Sequence, residues 1–229
     1  MLLCIKLRIR PRGTPLFGRN GEDFMEDRLK KQIVIFGGCF NPPLNSHFGL
    51  AQQLINEYNQ IEKIIFVPVN SKYQKAELIG NEDRYNMLKL VCDKNEKFEV
   101  SRMEIDSPRP LYTIETLENF QMQFPNYEIA FTTGSDNLKE LNTWNRAEDL
   151  VKNFKFYIIK RDKDNIEEII SKDKLLSAYK KSFIVDKNHI ISNLSSTYVR
   201  ANIKEGKSIN YLAPEEVVKY IKEHKLYKE

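Results

Sequence analysis

Gly37-Gly38-Cys39-Phe40-Asn41-Pro42-Pro43-Leu44-Asn45-Ser46-His47 combines two adjacent glycines with a histidine a short way downstream. Paired glycines let main-chain N–H groups approach a phosphate with no Cβ in the way, and the start of a following helix adds donors and a dipole that favours an anion. That composition suits a nucleotide phosphate, and an imidazole in the first helical turn can point back into the same cleft. The same residues also make a plain structural turn after a buried strand. A second group, Ser195-Ser196-Thr197-Tyr198-Val199-Arg200, sets successive hydroxyls at a helix start with an arginine one turn in. It works either as an anion clamp of neutral donors, helix dipole and one bidentate cation, or as an N-cap beside a surface arginine.

Between these groups stand three more. Gly134-Ser135-Asp136-Asn137 offers a carboxylate at a strand end, placed for a ribose hydroxyl or a metal, or else for capping a helix. Trp144, the lone tryptophan, belongs to a core or stacks on a flat heteroaromatic ring. Lys72 and Lys75, in the loop Pro68-Val69-Asn70-Ser71-Lys72-Tyr73-Gln74-Lys75, hold phosphate or form a solvated surface, and Tyr112-Thr113 caps a helix or faces the cleft. None of these groups has the setting of an activated nucleophile, since no cysteine is suitably spaced from a histidine and no serine sits in a glycine elbow. That absence suits direct transfer between phosphorylated groups, driven by positioning and charge neutralisation. There is no carboxylate cluster to cage a metal, so no protein metal ligand is expected and Mg²⁺ would ride mainly on the phosphate oxygens of a bound nucleotide and on water.

The elements that must position these residues alternate along the chain. Gln32 to Phe36 is a buried strand, and a helical pattern begins near Ser46 with Phe48, Leu50, Ala51, Leu54 and Ile55. Lys63 to Val69 is a strand, Asp83 to Asp93 a helix, Phe98 to Ile105 a strand, Thr113 to Phe124 a helix and Tyr127 to Thr133 a strand. Leu138 to Val151 gives one or two helices, and Phe154 to Arg161, Ile166 to Tyr179 and Ser182 to Val185 continue the alternation. Apolar strands separated by amphipathic helices predict an α/β protein with a doubly wound parallel sheet, whose ligands collect beyond the carboxyl ends of the strands. Pro214 and Glu215-Glu216 start a terminal helix running to His224, with Val217, Val218 and Ile221 on its packed face.

The 229 residues suffice for one large domain or one domain with an appendage. Most of the formal +4 charge lies in residues 1–24, where Lys6, Arg8, Arg10, Arg12 and Arg19 face only Glu22 and Asp23. The body is nearly neutral and gives little support to nucleic-acid binding. Cys4, Cys39 and Cys92 lack metal or redox spacing, which fits a reducing cytoplasm, and no apolar run is long enough to cross a membrane. Residues 1–30 read as a basic extension outside the core, poorly ordered or an upstream mis-start, with the functional chain beginning near Met25 and the domain spanning 31–229.

The first group resembles the signature GGxFxPxHxGH of the nucleotidylyltransferase superfamily, most closely in its nicotinate-nucleotide adenylyltransferase form. Leu44 stands where the family has His or Thr, and Ser46 where it has Gly. Leu111-Tyr112-Thr113-Ile114-Glu115-Thr116-Leu117 is similar to Ser-Tyr-Thr-x-x-Thr-Leu, Gly134-Ser135-Asp136 with Trp144 to Gly-x-Asp…Trp, and Ser195 to Arg200 to the second signature, I-S-S-T-x-I-R. With the Val-x-x-Tyr-Ile ending, five motifs occur in the family's order from about Ile33 to Tyr227. The resemblance implies a Rossmann-like nucleotidylyltransferase fold and adenylyl transfer from ATP to nicotinic acid mononucleotide, giving deamido-NAD and pyrophosphate. It implies that His47 and Arg200 are catalytic, and that ATP meets Gly37, Gly38, Cys39, Phe40, His47, Gly134, Asp136, Ser195, Ser196, Thr197 and Arg200. For the acceptor it implies Asn41, Lys75, Tyr112, Thr113 and Trp144. The partners are then ATP and the mononucleotide, with no nucleic acid or membrane and a possible homo-oligomer. Competing expectations are an amide mononucleotide or another phosphorylated acceptor, a catalytically weakened paralogue motivated by Leu44 and Ser46, and a generic nucleotide-binding domain.

Overall fold

The computed structural model describes residues 30–72, 78–161, 164–185 and 194–228. The extension expected over residues 1–30 therefore lies, apart from Lys30, outside the described residues. β1 (Gln32–Gly38) is apolar on both faces, with Ile33 and Ile35 in one core cluster and Val34 and Phe36 in the other. A strand buried on both sides belongs at the centre of a parallel sheet. β1 pairs in parallel with β2 (Ile61–Pro68) on one side and β4 (Glu128–Gly134) on the other. β3 (Phe98–Val100), β5 (Lys155–Ile159) and β6 (Phe183–Val185) complete a six-stranded parallel sheet among the described residues, in the order β3-β2-β1-β4-β5-β6.

Helices cover both faces, as a doubly wound sheet requires. Phe48, Ala51 and Leu54 of α1 (Asn45–Glu57) and Leu88 and Cys92 of α2 (Asn81–Cys92) pack on the Val34 and Phe36 face. On the other face lie Ile114, Leu117 and Phe120 of α3 (Thr113–Gln123), Leu138 at the end of α4 (Ser135–Leu138), and Leu150 and Val151 of α5 (Ala147–Asn153). α6 (Ile166–Lys172) and α7 (Lys174–Ala178) extend this layer. α8 (Ser196–Lys204) and α9 (Glu215–Glu223) build a third cluster, in which Val199, Val217, Val218 and Ile221 meet Met87 and Leu44. No described helix is long and apolar enough to cross a membrane.

Two expectations are corrected. The strand expected over Phe98 to Ile105 ends at Val100, because the apolar alternation slips between Val100 and Met103 and reverses the face presented. Beyond it the side-chain amide of Asn70 gathers the carbonyls of Glu104 and Ser107 at 3.1 and 2.8 Å, which stabilises a turn instead. The stretch Ile166 to Tyr179 is broken at Asp173, whose carboxylate accepts the Leu176 N–H at 2.9 Å and starts α7 afresh.

Candidate active site

Strand order reverses between β1 and β4, and the crevice beyond their carboxyl ends is where a doubly wound sheet takes its ligand. A cleft of ≈ 280 Å³ opens there, walled by the Gly37-Gly38-Cys39-Phe40 turn and His47 on one side. Gly134, Asp136 and Trp144 form the other side, and Ser196 enters from the start of α8. The turns expected near residues 37 and 134 meet in this cleft and the segment near 195 reaches it through Leu194 and Ser196, but Arg200, expected to share the opening with His47, faces a different one.

The glycine turn is packed from behind. Phe40 is 2% exposed, and a Cβ on Gly38 would meet its ring at 3.0 Å. Phe40 itself takes φ 46°, a left-handed conformation that a bulky side chain adopts only when its surroundings over-determine it. His47 Nδ1 accepts the Leu44 N–H at 2.9 Å, and Phe40 stands edge-on to the imidazole at 5.2 Å between centroids. A ring accepting at Nδ1 carries its proton on Nε2, which is left as a donor. Burial, aided by the nearby Arg161 guanidinium, pushes its pKa down to about 4. His47 is therefore a neutral donor, not the cation that charge neutralisation would ask for.

Leu44 is fully buried against α8 and α9, so packing takes the place of the family's polar side chain. Ser46, the other departure, is half-buried in the cleft wall beside His47. Ser196 donates to the Pro42 carbonyl at 2.8 Å, tying α8 to the turn. Opposite, the Trp144 indole is half-buried, lines the cleft and meets Phe131 edge-on at 6.4 Å, so it is not sealed in the core. Asp136, exposed, pairs with Arg161 at 3.3 Å.

Other expected residues are not in this wall. Arg200 donates to the Asn41 carbonyl at 3.0 Å and to Thr197 Oγ1 at 3.4 Å, and lines a separate opening with Ile79, Lys204 and Tyr227. Ser195 caps α8 by accepting the Tyr198 N–H at 3.2 Å. Asn41, expected at the acceptor, is 2% exposed, and its Oδ1 accepts from Tyr227 Oη at 2.9 Å; the C-terminal segment has claimed it. Tyr112 is 57% exposed just before α3, where its N–H reaches Glu115 at 2.8 Å, and Thr113 is half-buried at the helix start. Lys75 lies outside the described residues. Sequence reasoning missed Ser46, Lys160 and Arg161 as cleft residues. The signal for the last two was two cations directly after a buried strand, in a loop that Ser135 Oγ holds by accepting the Arg161 N–H at 2.9 Å.

Sheet order, switch-point cleft and glycine turn together define a nucleotide-binding α/β enzyme of the nucleotidyltransferase class. A family model described as cytidylyltransferase-like matches residues 35–202. The probable nicotinate-nucleotide adenylyltransferase of Caldicellulosiruptor bescii is 34% identical over 198 residues, covering 86% of this chain and 99% of that protein. Its namesake from Clostridium tetani is 32% identical over 200 residues, covering 86% and 100%. In fold, the chain is similar to Plasmodium falciparum nicotinic acid mononucleotide adenylyltransferase complexed with NaAD, with TM-score 0.71, 24% identity, and 86% of this chain and 97% of that one covered. The chain belongs to the nicotinate-nucleotide adenylyltransferase family, nucleotidyltransferases of NAD biosynthesis.

Proposed function

We propose that the enzyme transfers the adenylyl group of ATP to nicotinic acid mononucleotide, forming deamido-NAD and releasing pyrophosphate. The observation that carries this reading is the half-buried Trp144 indole facing the same cleft as the glycine turn and His47, a flat platform beside a phosphate site. The relatives' names supply the substrate class. An oxygen of the acceptor phosphate attacks the α-phosphorus in line, the bond to the bridging oxygen breaks, and the electron pair leaves on pyrophosphate.

Catalysis then rests on donors already in place. His47 gives its Nε2–H to the phosphates as a neutral group, while Gly38, Cys39 and Phe40 offer main-chain N–H groups and α1 its N-terminal dipole. The Ser46 hydroxyl supplies a contact close to the one Leu44 does not make. Arg161 brings fixed positive charge, and Asp136 takes a ribose hydroxyl in exchange for part of its pairing with Arg161. Ser196, which lines the cleft, adds a hydroxyl from the start of α8, while Arg200 reaches the phosphates only by leaving the Asn41 carbonyl and the separate opening it lines.

Among the described residues the cleft wall holds one carboxylate, Asp136, already paired with Arg161, which does not fit a protein cage for Mg²⁺. A divalent ion belongs to the triphosphate and its water, and no step of the transfer is routed through it.

Pyrophosphate release measured with ATP and either the acid or the amide mononucleotide tests the proposal. Turnover should be faster with the acid. Preference for the amide would reassign the acceptor, and binding of ATP without turnover on either would refute adenylyl transfer.

A further inference from the structure

Arg84 of α2 has the bulkiest fully buried side chain among the described residues, and no step of the proposed transfer uses it. Four of its five N–H donors are engaged. Nη1 donates to the Cys39 carbonyl at 3.0 Å, Nη2 to the Val69 carbonyl at 2.6 Å and to Asn81 Oδ1 at 2.7 Å, and Nε to the Ile79 carbonyl at 3.2 Å. Every one of these acceptors is neutral. Burying a guanidinium with no carboxylate partner among the described residues is unfavourable even when most of its donors are satisfied, and an apolar side chain would pack there at lower cost. Because arginine does not give up its proton in a protein, the positive charge stays.

What that charge touches explains its retention. Cys39 comes directly after the two glycines, and in a trans peptide unit the carbonyl of one residue and the N–H of the next point in opposite directions. Drawing the Cys39 carbonyl back onto Arg84 turns the Phe40 N–H away from Arg84, on the residue whose φ of 46° needs outside support. Val69 ties the same corner twice, donating its N–H to the Gly38 carbonyl at 3.0 Å and giving its own carbonyl to Arg84.

We infer that Arg84 is a positioning residue for ATP: from behind the turn it fixes the Cys39–Phe40 peptide so that the Phe40 N–H is aimed at phosphate, and it sets a buried positive charge beneath that donor. This rests on the adenylyl-transfer reading only in taking ATP as the occupant.

The test is direct binding of a non-hydrolysable ATP analogue and, separately, of nicotinic acid mononucleotide to the full chain carrying Arg84→Gln or Arg84→Lys. Misplacing a phosphate donor should weaken the ATP analogue on the order of 10²-fold in Arg84→Gln and less in Arg84→Lys, with mononucleotide affinity held within about twofold. Unchanged ATP affinity, or parallel loss of both ligands as from general loosening, would overturn the inference. Should neither variant fold, ¹⁵N spectra of the unaltered enzyme decide. The Phe40 amide and Arg84 Nε–H resonances should shift with the ATP analogue and not with mononucleotide alone, and an unmoved Phe40 amide in the ATP-bound enzyme counts against it. An enzyme that passes these tests yet fails to adenylate the mononucleotide would sink the proposed reaction and leave Arg84's role standing.

Discussion

On the β1 side of the cleft each group is held from behind: Phe40 by the bare α-carbon of Gly38, His47 by the Leu44 N–H, and the Cys39 carbonyl by Arg84. On the opposite side, proposed for the acceptor, the Trp144 indole stands half exposed on the edge of Phe131. The contrast separates two kinds of recognition. In the proposed reaction, phosphate binding rests on the orientation of peptide planes, which survives changes of side chain such as those at Leu44 and Ser46. The proposed acceptor recognition rests on exposed side chains, where one replacement alters specificity directly.

The largest effect that would break this contrast comes from His47→Ala. Removing one preorganised donor should lower kcat by about 10²–10³-fold with the fold intact, as steady-state pyrophosphate release and circular dichroism would register. Retention of near-normal kcat would mean the β1 side is not the catalytic wall. Next comes Trp144→Ala. Loss of a stacking platform, worth about 1–3 kcal/mol, should raise KM for the mononucleotide roughly tenfold and leave KM for ATP nearly unmoved. An equal rise in both would erase the division between the walls.

A smaller effect is expected from Tyr227→Phe, which removes the bond to Asn41 Oδ1. Denaturant unfolding should show a loss of about 1 kcal/mol, with the acceptor preference unchanged. A further test concerns pH. Folding depresses His47 from 6.5 to about 4, so the stability of its neutral ring is complete above pH 6.5 and is lost as pH falls toward 4. Burial raises Glu104, which accepts from Thr116 at 2.7 Å, from 4.5 to about 7, so its contribution is complete below pH 4.5 and is lost as pH rises through 7. Glu104→Gln should remove the second trend and leave a stability that only rises from pH 4.5 to 7 in thermal melts. A profile that still declines there would place the titration elsewhere.

What could be read from the sequence was local. The Gly37-Gly38 pair between an apolar run and an amphipathic helix has one sensible geometry, and the alternation of strands and helices fixes a doubly wound sheet, whose order needed the structure to see. β3 was overestimated because a one-residue slip in alternation is easily taken for continuing strand. The roles of Arg84 and Asn41 were illegible, since their partners at Cys39, Val69 and Tyr227 are main-chain carbonyls or residues remote in sequence. The direction of Arg200 is likewise a choice among rotamers settled by the Asn41 carbonyl, which no spacing rule encodes. Lys160 and Arg161 could have been found by inspecting the residues just past the end of every strand, not only the glycine-marked ones.

Leu44 opens the helix beside the phosphate turn, yet the side chains that bury it, Val199, Val217 and Ile221, come from the end of the polypeptide. During synthesis the glycine corner leaves the ribosome long before its companions do. Until α8 and α9 dock, Leu44 lacks the side chains that bury it, so the glycine corner completes its packing late in the making of the domain.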